Sequence, residues 1–154
     1  TGLILGIDLS TKTEEIYRAL IEATAFGTRK IIEAFEESGI KINELYACGG
    51  LVEKNRMLMQ IYSDITGREI KVAKSSQASS LGSAMHVAVA AGYYSSIKEA
   101  SKKMAYLKEE VYYPIIKNVT IYNNLYNQYV ILHNFFGLSK DFSIMRILKK
   151  LKKN

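Results

Sequence analysis

The sequence predicts an α/β fold, with a short sheet, helices packed on it and a helical carboxyl-terminal extension. Over the first 92 residues, short apolar runs typical of buried strands alternate with longer segments whose apolar residues recur at helical spacing. After residue 92 helical patterns predominate. With 154 residues, 48% of them hydrophobic and 23% charged, the chain has the size and composition of a soluble globular domain.

The first predicted unit is a strand followed by a long helix. Leu3–Ile7 is an apolar run that predicts a buried strand, and Asp8 falls in the turn after it. Thr11 with Glu14 three residues later predicts a capping box at the helix start. Gly39 predicts that this helix ends there, with the glycine in the left-handed backbone region. The apolar stripe of this helix is expected at Ile16, Ala19, Leu20, Ala23, Phe26, Gly27, Ile31, Ala34 and Phe35.

The alternation continues along the chain. Leu45–Cys48 predicts a short buried strand, Asn55–Thr66 a helix ending at Gly67, and Glu69–Val72 a further strand. Small residues, among them Gly82 and Ala84, predict a helix over Ser79–Ala91 that packs closely on a sheet or on another helix. The second half predicts a helix over Ser96–Leu107, extended chain over Val111–Pro114 and a helix over Val119–Phe136.

The last predicted helix carries many aromatic rings on one side. We interpret them as rings that cover the core while their hydroxyls stay in water; the alternative, a platform that stacks nucleic-acid bases, is less favoured. The residues of this side are Val119, Tyr122, Tyr126, Tyr129, His133 and Phe136.

Most of the net charge of +6 belongs to the end of the chain, where six basic residues and one acidic residue follow residue 139. Phe142, Met145, Leu148 and Leu151 recur every third residue, which predicts an amphipathic helix with lysines in its last turn. A membrane-surface or nucleic-acid patch is the less favoured alternative. We therefore divide the chain into residues 1–137 and a basic amphipathic tail, residues 138–154.

The sequence offers no catalytic or metal-binding constellation. Cys48 is the single cysteine and ends an apolar strand, so we expect a buried, unreactive thiol and a reducing, cytoplasmic compartment. His86 and His133 have no carboxylate or thiol at ligand spacing. No apolar run reaches the roughly 20 residues that span a bilayer. We assign no catalytic residue, no metal ligand and no membrane partner.

The segment ELYACGGLVEKNRMLMQ, residues 44–60, carries the strongest signal for a binding site. Gly49 and Gly50 follow a strand and precede a helix, where a ligand could reach the backbone and helix-terminal amides. The pair could equally form only a tight turn. Asn55 could cap the next helix or offer its amide to an adenine edge.

Four segments in this order resemble the carboxyl-terminal domain of the FGGY carbohydrate kinases, and most closely the L-ribulokinases among them. They are RALIEATAFGTR (18–29), ELYACGGLVEKN (44–55), MQIYSDITGREIKV (59–72) and ASSLGSAMHVAVAAG (78–92). The resemblance runs from about Gly2 to about Gly137, and the tail from Leu138 departs from it.

This resemblance implies part of an actin-like, ribonuclease-H-like ATPase fold, in which the domain forms the ADP-side wall of a cleft between two lobes. By resemblance, Gly49 and Gly50 lie against the nucleotide, Asn55 lies near the adenine, and Leu51 to Lys54 line the pocket. ATP and Mg²⁺ are the implied cofactors, a pentulose is the implied substrate, and L-arabinose catabolism is the implied pathway. The sugar would contact the chain only through the other lobe.

The same resemblance shows what is missing. The family places its catalytic aspartate, sugar-binding residues and phosphate loops in parts that are not visible here. Asp8 does not replace them, since Ser10 stands where such a loop needs a glycine. The chain also begins with Thr, so we expect the natural protein to start upstream and the domain to be incomplete at its start.

Three hypotheses follow. The leading one is the nucleotide-side portion of an L-ribulokinase-like enzyme, inactive alone. The second is a non-catalytic interaction module, which could be a homo-oligomer. The third, a nucleic-acid-binding domain, rests only on the tail.

Overall fold

The computed structural model describes residues 2–138 and 144–152. Within these ranges the chain forms helices and a small sheet in mixed order. The elements are α1 (Thr13–Glu37), β1 (Leu45–Ala47), α2 (Gly50–Lys54), α3 (Arg56–Thr66), β2 (Ile70–Ala73), α4 (Ala78–Ala90), α5 (Ile97–Met104), β3 (Leu107–Tyr112), α6 (Ile116–Gly137) and α7 (Ile144–Leu151).

The sheet has three strands in the order β1-β2-β3. β1 runs parallel to β2 with Leu45 opposite Ile70, and β2 runs antiparallel to β3 with Ile70 opposite Tyr112. The predicted strands at residues 45–48 and 69–72 are confirmed to within one residue. The predicted helix over Ser96–Leu107 ends earlier, at Met104, because the chain from Leu107 pairs with β2.

The predicted strand at Leu3–Ile7 is wrong. These residues form no strand, and the side chains of Leu3, Ile4, Leu5 and Ile7 are about half exposed. Strands need a backbone partner, and among the described residues β1 pairs on one side only, with β2. Apolar composition alone therefore does not make this segment a strand.

The turn at Asp8 is confirmed. Its carboxylate accepts hydrogen bonds from the backbone N–H and hydroxyl of Ser10, at 2.8 and 2.7 Å, and these bonds lower the pKa of Asp8. Thr11 binds back to Asp8 and does not cap the helix. The cap lies one residue later, where the Glu15 carboxylate accepts from the Lys12 N–H at 2.8 Å.

The larger core lies among α1, α3 and α6. It contains Ile21, Ala25, Phe26, Ile61, Ile65, Tyr122 and Tyr126. The rings of α6 therefore cover the core as predicted. Their hydroxyls, however, bind carboxylates of α1, since Tyr122 donates to Glu22 at 2.8 Å and Tyr126 to Glu33 at 2.5 Å.

Only part of the predicted stripe on α1 is buried. Of its nine residues Phe26 is buried, whereas Leu20, Ile31 and Phe35 are 55%, 60% and 47% exposed. We call these three exposed side chains the outer face of α1. The prediction that Gly39 ends the helix in the left-handed region is confirmed by its φ of +89°.

A second, smaller core covers one face of the sheet. Val52 from α2 and Met59 from α3 pack there on Ile70, Val72 and Tyr112. Through this core α2, and with it the turn that precedes it, is held against the strands.

The close packing predicted for Gly82 and Ala84 is wrong. A Cβ on Gly82 would meet no atom within 4 Å, and Ala84 is exposed. Within α4 it is Met85 that is buried.

The tail forms α7, so Met145, Leu148 and Leu151 are helical as predicted, with Lys149 and Lys150 in the last turn. The predicted position of Phe142 lies outside the described residues.

Candidate functional site

Gly49 and Gly50 form the turn that joins β1 to α2. Gly49 has a φ of +97°, a conformation that side chains with a Cβ rarely adopt. Gly50 has an ordinary backbone, and a Cβ on either residue would meet no atom within 4 Å. Glycine is thus required by the turn at Gly49, whereas at Gly50 it only leaves the backbone uncovered.

The short helix α2 presents an apolar and a charged side chain to solvent beside this turn. Leu51 is 71% exposed, Lys54 is exposed, and Val52 points into the second core. Glu53 is paired with Lys108 of β3 at 3.0 Å. An apolar side chain and an unburied ammonium group therefore lie on the solvent side of α2.

Asn55 caps α3. Its side-chain oxygen accepts a hydrogen bond from the Leu58 N–H at 3.0 Å, so the structure supports the capping alternative for that oxygen. The NH₂ end of the same amide is not part of the cap. Capping and ligand contact are consequently compatible for this residue.

Beside the turn lies an open apolar cleft of about 420 Å³. Tyr62 closes one part of it by donating its hydroxyl to Thr24 at 2.9 Å. The cleft is lined by Leu20, Ile21, Thr24, Cys48, Leu51, Val52, Leu58, Met59 and Tyr62. Of the residues predicted to line a pocket, Leu51 and Val52 lie at this cleft. Its residues from α1 and α3 were not predicted, because the cleft joins segments that lie far apart in the chain.

Cys48 lines this cleft and is exposed, so the prediction of a buried thiol is wrong. The reason is that β1 ends at Ala47, which leaves Cys48 in the turn rather than in the sheet. The single thiol of the chain therefore lies at the candidate site.

Charged groups support the strand that carries the turn. Lys71 of β2 binds Glu44 at 2.7 Å and Glu69 at 3.3 Å, and Tyr46 donates to Glu44 at 2.6 Å. The bond from Lys71, followed by that from Tyr46, lowers the pKa of Glu44. This exposed network lies at the start of β1, at the end remote from the glycines.

The histidines do not join the site. His86 is exposed on α4, and His133 of α6 lies 3.2 Å from the Asn134 side chain. Among residues 2–138 and 144–152, no three His, Cys, Asp or Glu side chains are grouped so as to hold a metal ion.

A comparison with protein-family models matches residues 1–91 to the carboxyl-terminal domain of the FGGY family of carbohydrate kinases. The chain belongs to the FGGY family of carbohydrate kinases. The matched part includes the glycine turn, α2 and the cap at Asn55.

Curated relatives extend the match to nearly the whole chain. The ribulokinase of Anoxybacillus flavithermus is 57% identical over 99% of this chain, and that of Mycolicibacterium smegmatis is 46% identical over 100% of it. The tail thus has counterparts in these relatives, and the expectation that it departs from the family is wrong. The chain spans 28% and 27% of their lengths.

Solved structures agree on the fold. A xylulose kinase from Rhodospirillum rubrum matches with a TM-score of 0.72 at 22% identity, covering 84% of this chain and 26% of its own. A glycerol kinase from Plasmodium falciparum, solved with ADP, matches with a TM-score of 0.65 at 26% identity, covering 81% of this chain and 25% of its own. The predicted fold, part of the actin-like ATPase fold of these kinases, is confirmed.

No helix in the described parts of the chain is long and apolar enough to cross a membrane.

Proposed function

We propose that the chain is the nucleotide-side portion of an ATP-dependent sugar kinase that resembles ribulokinase. The whole enzyme would transfer the γ-phosphate of ATP to a hydroxyl of a pentulose such as L-ribulose, in the cytoplasm, as a step of L-arabinose catabolism. The observation that carries the proposal is the open backbone at Gly49 and Gly50, beside an apolar cleft, in a domain of the FGGY family.

Each residue of the proposed site has a role that its chemistry can fill. The uncovered backbone at Gly49 and Gly50 lets the nucleotide approach closely, and Leu51 with the cleft provides apolar surface for the base. The NH₂ of Asn55 can donate to a ring nitrogen of the adenine. Lys54 adds positive charge for the phosphates.

ATP-dependent kinases also use Mg²⁺, which supplies charge stabilisation at the transferring phosphoryl group. Magnesium takes oxygen ligands, usually one or two carboxylates plus the substrate phosphates. We assign no magnesium ligand to this chain.

We further propose that this chain does not catalyse the transfer alone. Phosphoryl transfer depends on positioning and on electrostatic stabilisation of the transferring group, and the chain spans about 28% of its relatives. Sugar-binding and catalytic residues would belong to the rest of such an enzyme. We expect no turnover of ATP with L-ribulose by this chain, and measurable turnover would refute that part of the proposal.

An NMR titration of the chain with ADP tests the proposed site. We expect weak, saturable shifts of the amide signals of Gly49, Gly50 and Leu51 and of the Asn55 side-chain NH₂. Signals of Asn123 on α6 serve as the internal control and should not move. If a folded chain shows no shifts at these four residues, or shifts centred elsewhere, the proposed site is wrong.

A non-catalytic interaction module is the second candidate. It is favoured by the outer face of α1, where Leu20, Ile31 and Phe35 are about half exposed. Such a face is typical of a surface that another protein or another part of the same protein covers. Light scattering that shows a monomer with no tendency to associate would count against it.

A further inference from the structure

Two ion pairs join β3 to the chain on both sides of Asn55. The ammonium group of Lys108 lies 3.0 Å from the carboxylate of Glu53 in α2. The carboxylate of Glu110 lies 3.2 Å from the guanidinium group of Arg56, the first residue of α3. We call these two pairs the β3 clamp. Since Asn55 is the single residue between α2 and α3, the β3 clamp holds the chain before and after the proposed adenine contact.

The strand β3 supplies both clamp residues from a stretch where its pairing with β2 is irregular. Between the pairs Lys71–Val111 and Ala73–Leu107, β2 has one residue and β3 has three, residues 108–110. Extra residues of this kind form a bulge, which redirects side chains. The two clamp residues in this stretch are partly buried, whereas the residue between them is exposed. The bulge therefore accompanies the contacts that β3 makes with α2 and α3.

Few other contacts fix the direction of α2. The helix has five residues, too few to be stable without tertiary contacts, and within it only Val52 is buried. By contrast, α3 places Met59 in the second core and both Ile61 and Ile65 in the first. The angle between the two helices, and with it the direction of the Asn55 side chain, therefore depends on contacts beyond those of Val52.

We propose that Lys108 and Glu110 are positioning residues of the nucleotide site. Through Glu53 and Arg56 they fix the corner at Asn55, so that its NH₂ group keeps the direction in which it meets the adenine. The inference rests on the proposed function, because it assigns these residues to the same nucleotide site. Both residues lie beyond residues 1–91, the part that matches the family model, so a later part of the chain contributes to the site.

The β3 clamp is too exposed to act mainly through stability. The side chains of Lys108 and Glu53 are 31% and 38% exposed, and that of Arg56 is 82% exposed. Exposed ion pairs contribute little to the free energy of unfolding. A role confined to stability would shift the urea midpoint and leave the ADP affinity of the folded chain unchanged, whereas positioning changes the affinity.

The opposite charges of the two clamp residues separate positioning from a direct effect of charge on the ligand. Because ADP is an anion, removing the charge of Lys108 weakens its attraction to the chain, and removing the charge of Glu110 strengthens it. Loss of position weakens binding in both cases. The expected size is that of an exposed ion pair, about threefold in the dissociation constant for each pair.

The NMR titration with ADP, run on single variants of the chain, tests this proposal. We expect Lys108→Met and Glu110→Met each to raise the dissociation constant of ADP about threefold and to shift the Asn55 NH₂ signal before ADP is added. Lys108→Arg keeps a cation for Glu53 and should bind like the wild type. Glu109→Met removes the same charge as Glu110→Met from an exposed neighbouring side chain; it is the matched control and should not weaken binding.

Three results would overturn the proposal. The first is a folded Lys108→Met or Glu110→Met chain that binds ADP as tightly as the wild type or more tightly. The second is equal weakening by Glu109→Met, and the third is a loss in Lys108→Arg as large as that in Lys108→Met. A wild-type chain without ADP shifts would instead refute the proposed function, and this inference with it, so the two failures give different results.

Discussion

Asn55 illustrates how one residue can serve both the fold and a ligand. Its oxygen caps α3 by accepting from the Leu58 N–H, whereas its NH₂ end is the part that we propose contacts adenine. Aspartate retains a capping oxygen but cannot donate through an NH₂ group. The two roles can therefore be separated by substitution.

We expect Asn55→Asp to leave the free energy of unfolding within about 0.5 kcal/mol of the wild type and to weaken ADP binding. Asn55→Ala should weaken binding as well and cost about 1 kcal/mol of stability through the lost cap. Urea unfolding and the ADP titration, run on both variants, check this. Undiminished ADP binding by a folded Asn55→Asp chain would leave Asn55 with the capping role alone.

Tyr126 joins the core to a charged group and makes stability depend on pH. Burial, and then the hydrogen bond to Glu33, raises its pKa well above the usual 10.0. The folded state therefore holds the phenol proton more tightly than the unfolded state does. Its contribution to stability is complete below pH 10 and declines as the pH rises above 10.

Tyr126→Phe retains the ring but removes the hydroxyl that binds Glu33. At neutral pH we expect the free energy of unfolding to fall by about 2 kcal/mol, since the lost hydrogen bond has a charged acceptor. Above pH 10 the free energies of the variant and the wild type should differ by less. Urea unfolding at pH 7 and pH 10.5 measures both values. Tyr93→Phe, at an 81% exposed tyrosine, is the control; a difference that grows with pH would contradict the account.

At the scale of elements, Asp64 connects α3 to the start of α6. The side chain is 2% exposed and accepts from the Ile115 N–H at 2.8 Å, from the Asn118 amide at 2.7 Å and from Gln60 at 2.9 Å. These bonds fix the angle at which the chain leaves β3 and enters α6. The position of α6 on α3 depends on this connection.

Asp64→Ala would remove the buried acceptor of the Ile115 N–H and of the Asn118 side-chain amide. We expect a loss of about 3 kcal/mol in the free energy of unfolding, measured in urea. Asn118→Ala removes one donor and leaves the carboxylate its other partners, so about 1 kcal/mol is expected for this control. Equal effects of the two substitutions would show that Asp64 does not act as the common acceptor.

Most helices could be predicted because their start and end signals are local. Asn55 and Gly67 delimit α3, Ser96 caps α5, and Gly39 follows α1, each through contacts within a few residues. The buried side of α1 could not be predicted from its apolar stripe. Glu22 and Glu33 face α6 because tyrosine hydroxyls satisfy them, and a hydrophobic pattern does not contain that information.

The strand prediction at residues 3–7 was wrong for a related reason. An apolar run shows that a segment is suited to burial, but a strand also needs a neighbouring strand with free backbone groups. The glycine turn and the cap at Asn55 could be recognised from sequence. The cleft beside them could not, because Leu20 and Tyr62 reach it from distant parts of the chain.

At the scale of the whole molecule, the chain exposes more surface than a compact monomer. Its accessible area is 11307 Å², whereas a compact monomer of this mass exposes about 7,900 Å². The excess includes the outer face of α1 on the cleft side. In our account the rest of a kinase covers this face.

The central claim is that nucleotide binds at the open backbone of the glycine turn, and Gly50 offers the cleanest test of it. Its φ is ordinary and its Cβ would meet no atom of the chain within 4 Å, so alanine fits the fold. A methyl group there would obstruct only a bound molecule. Gly82→Ala in α4, where the Cβ also meets open space, is the matched control.

The decisive measurement is the KM for ATP of the Anoxybacillus flavithermus ribulokinase in which this chain replaces the matching segment. We predict that the chimera phosphorylates L-ribulose, that Gly50→Ala raises the KM for ATP about tenfold or more with the KM for L-ribulose unchanged, and that Gly82→Ala changes neither. A folded chimera that is inactive, or one whose KM for ATP is unaffected by Gly50→Ala, would contradict the account.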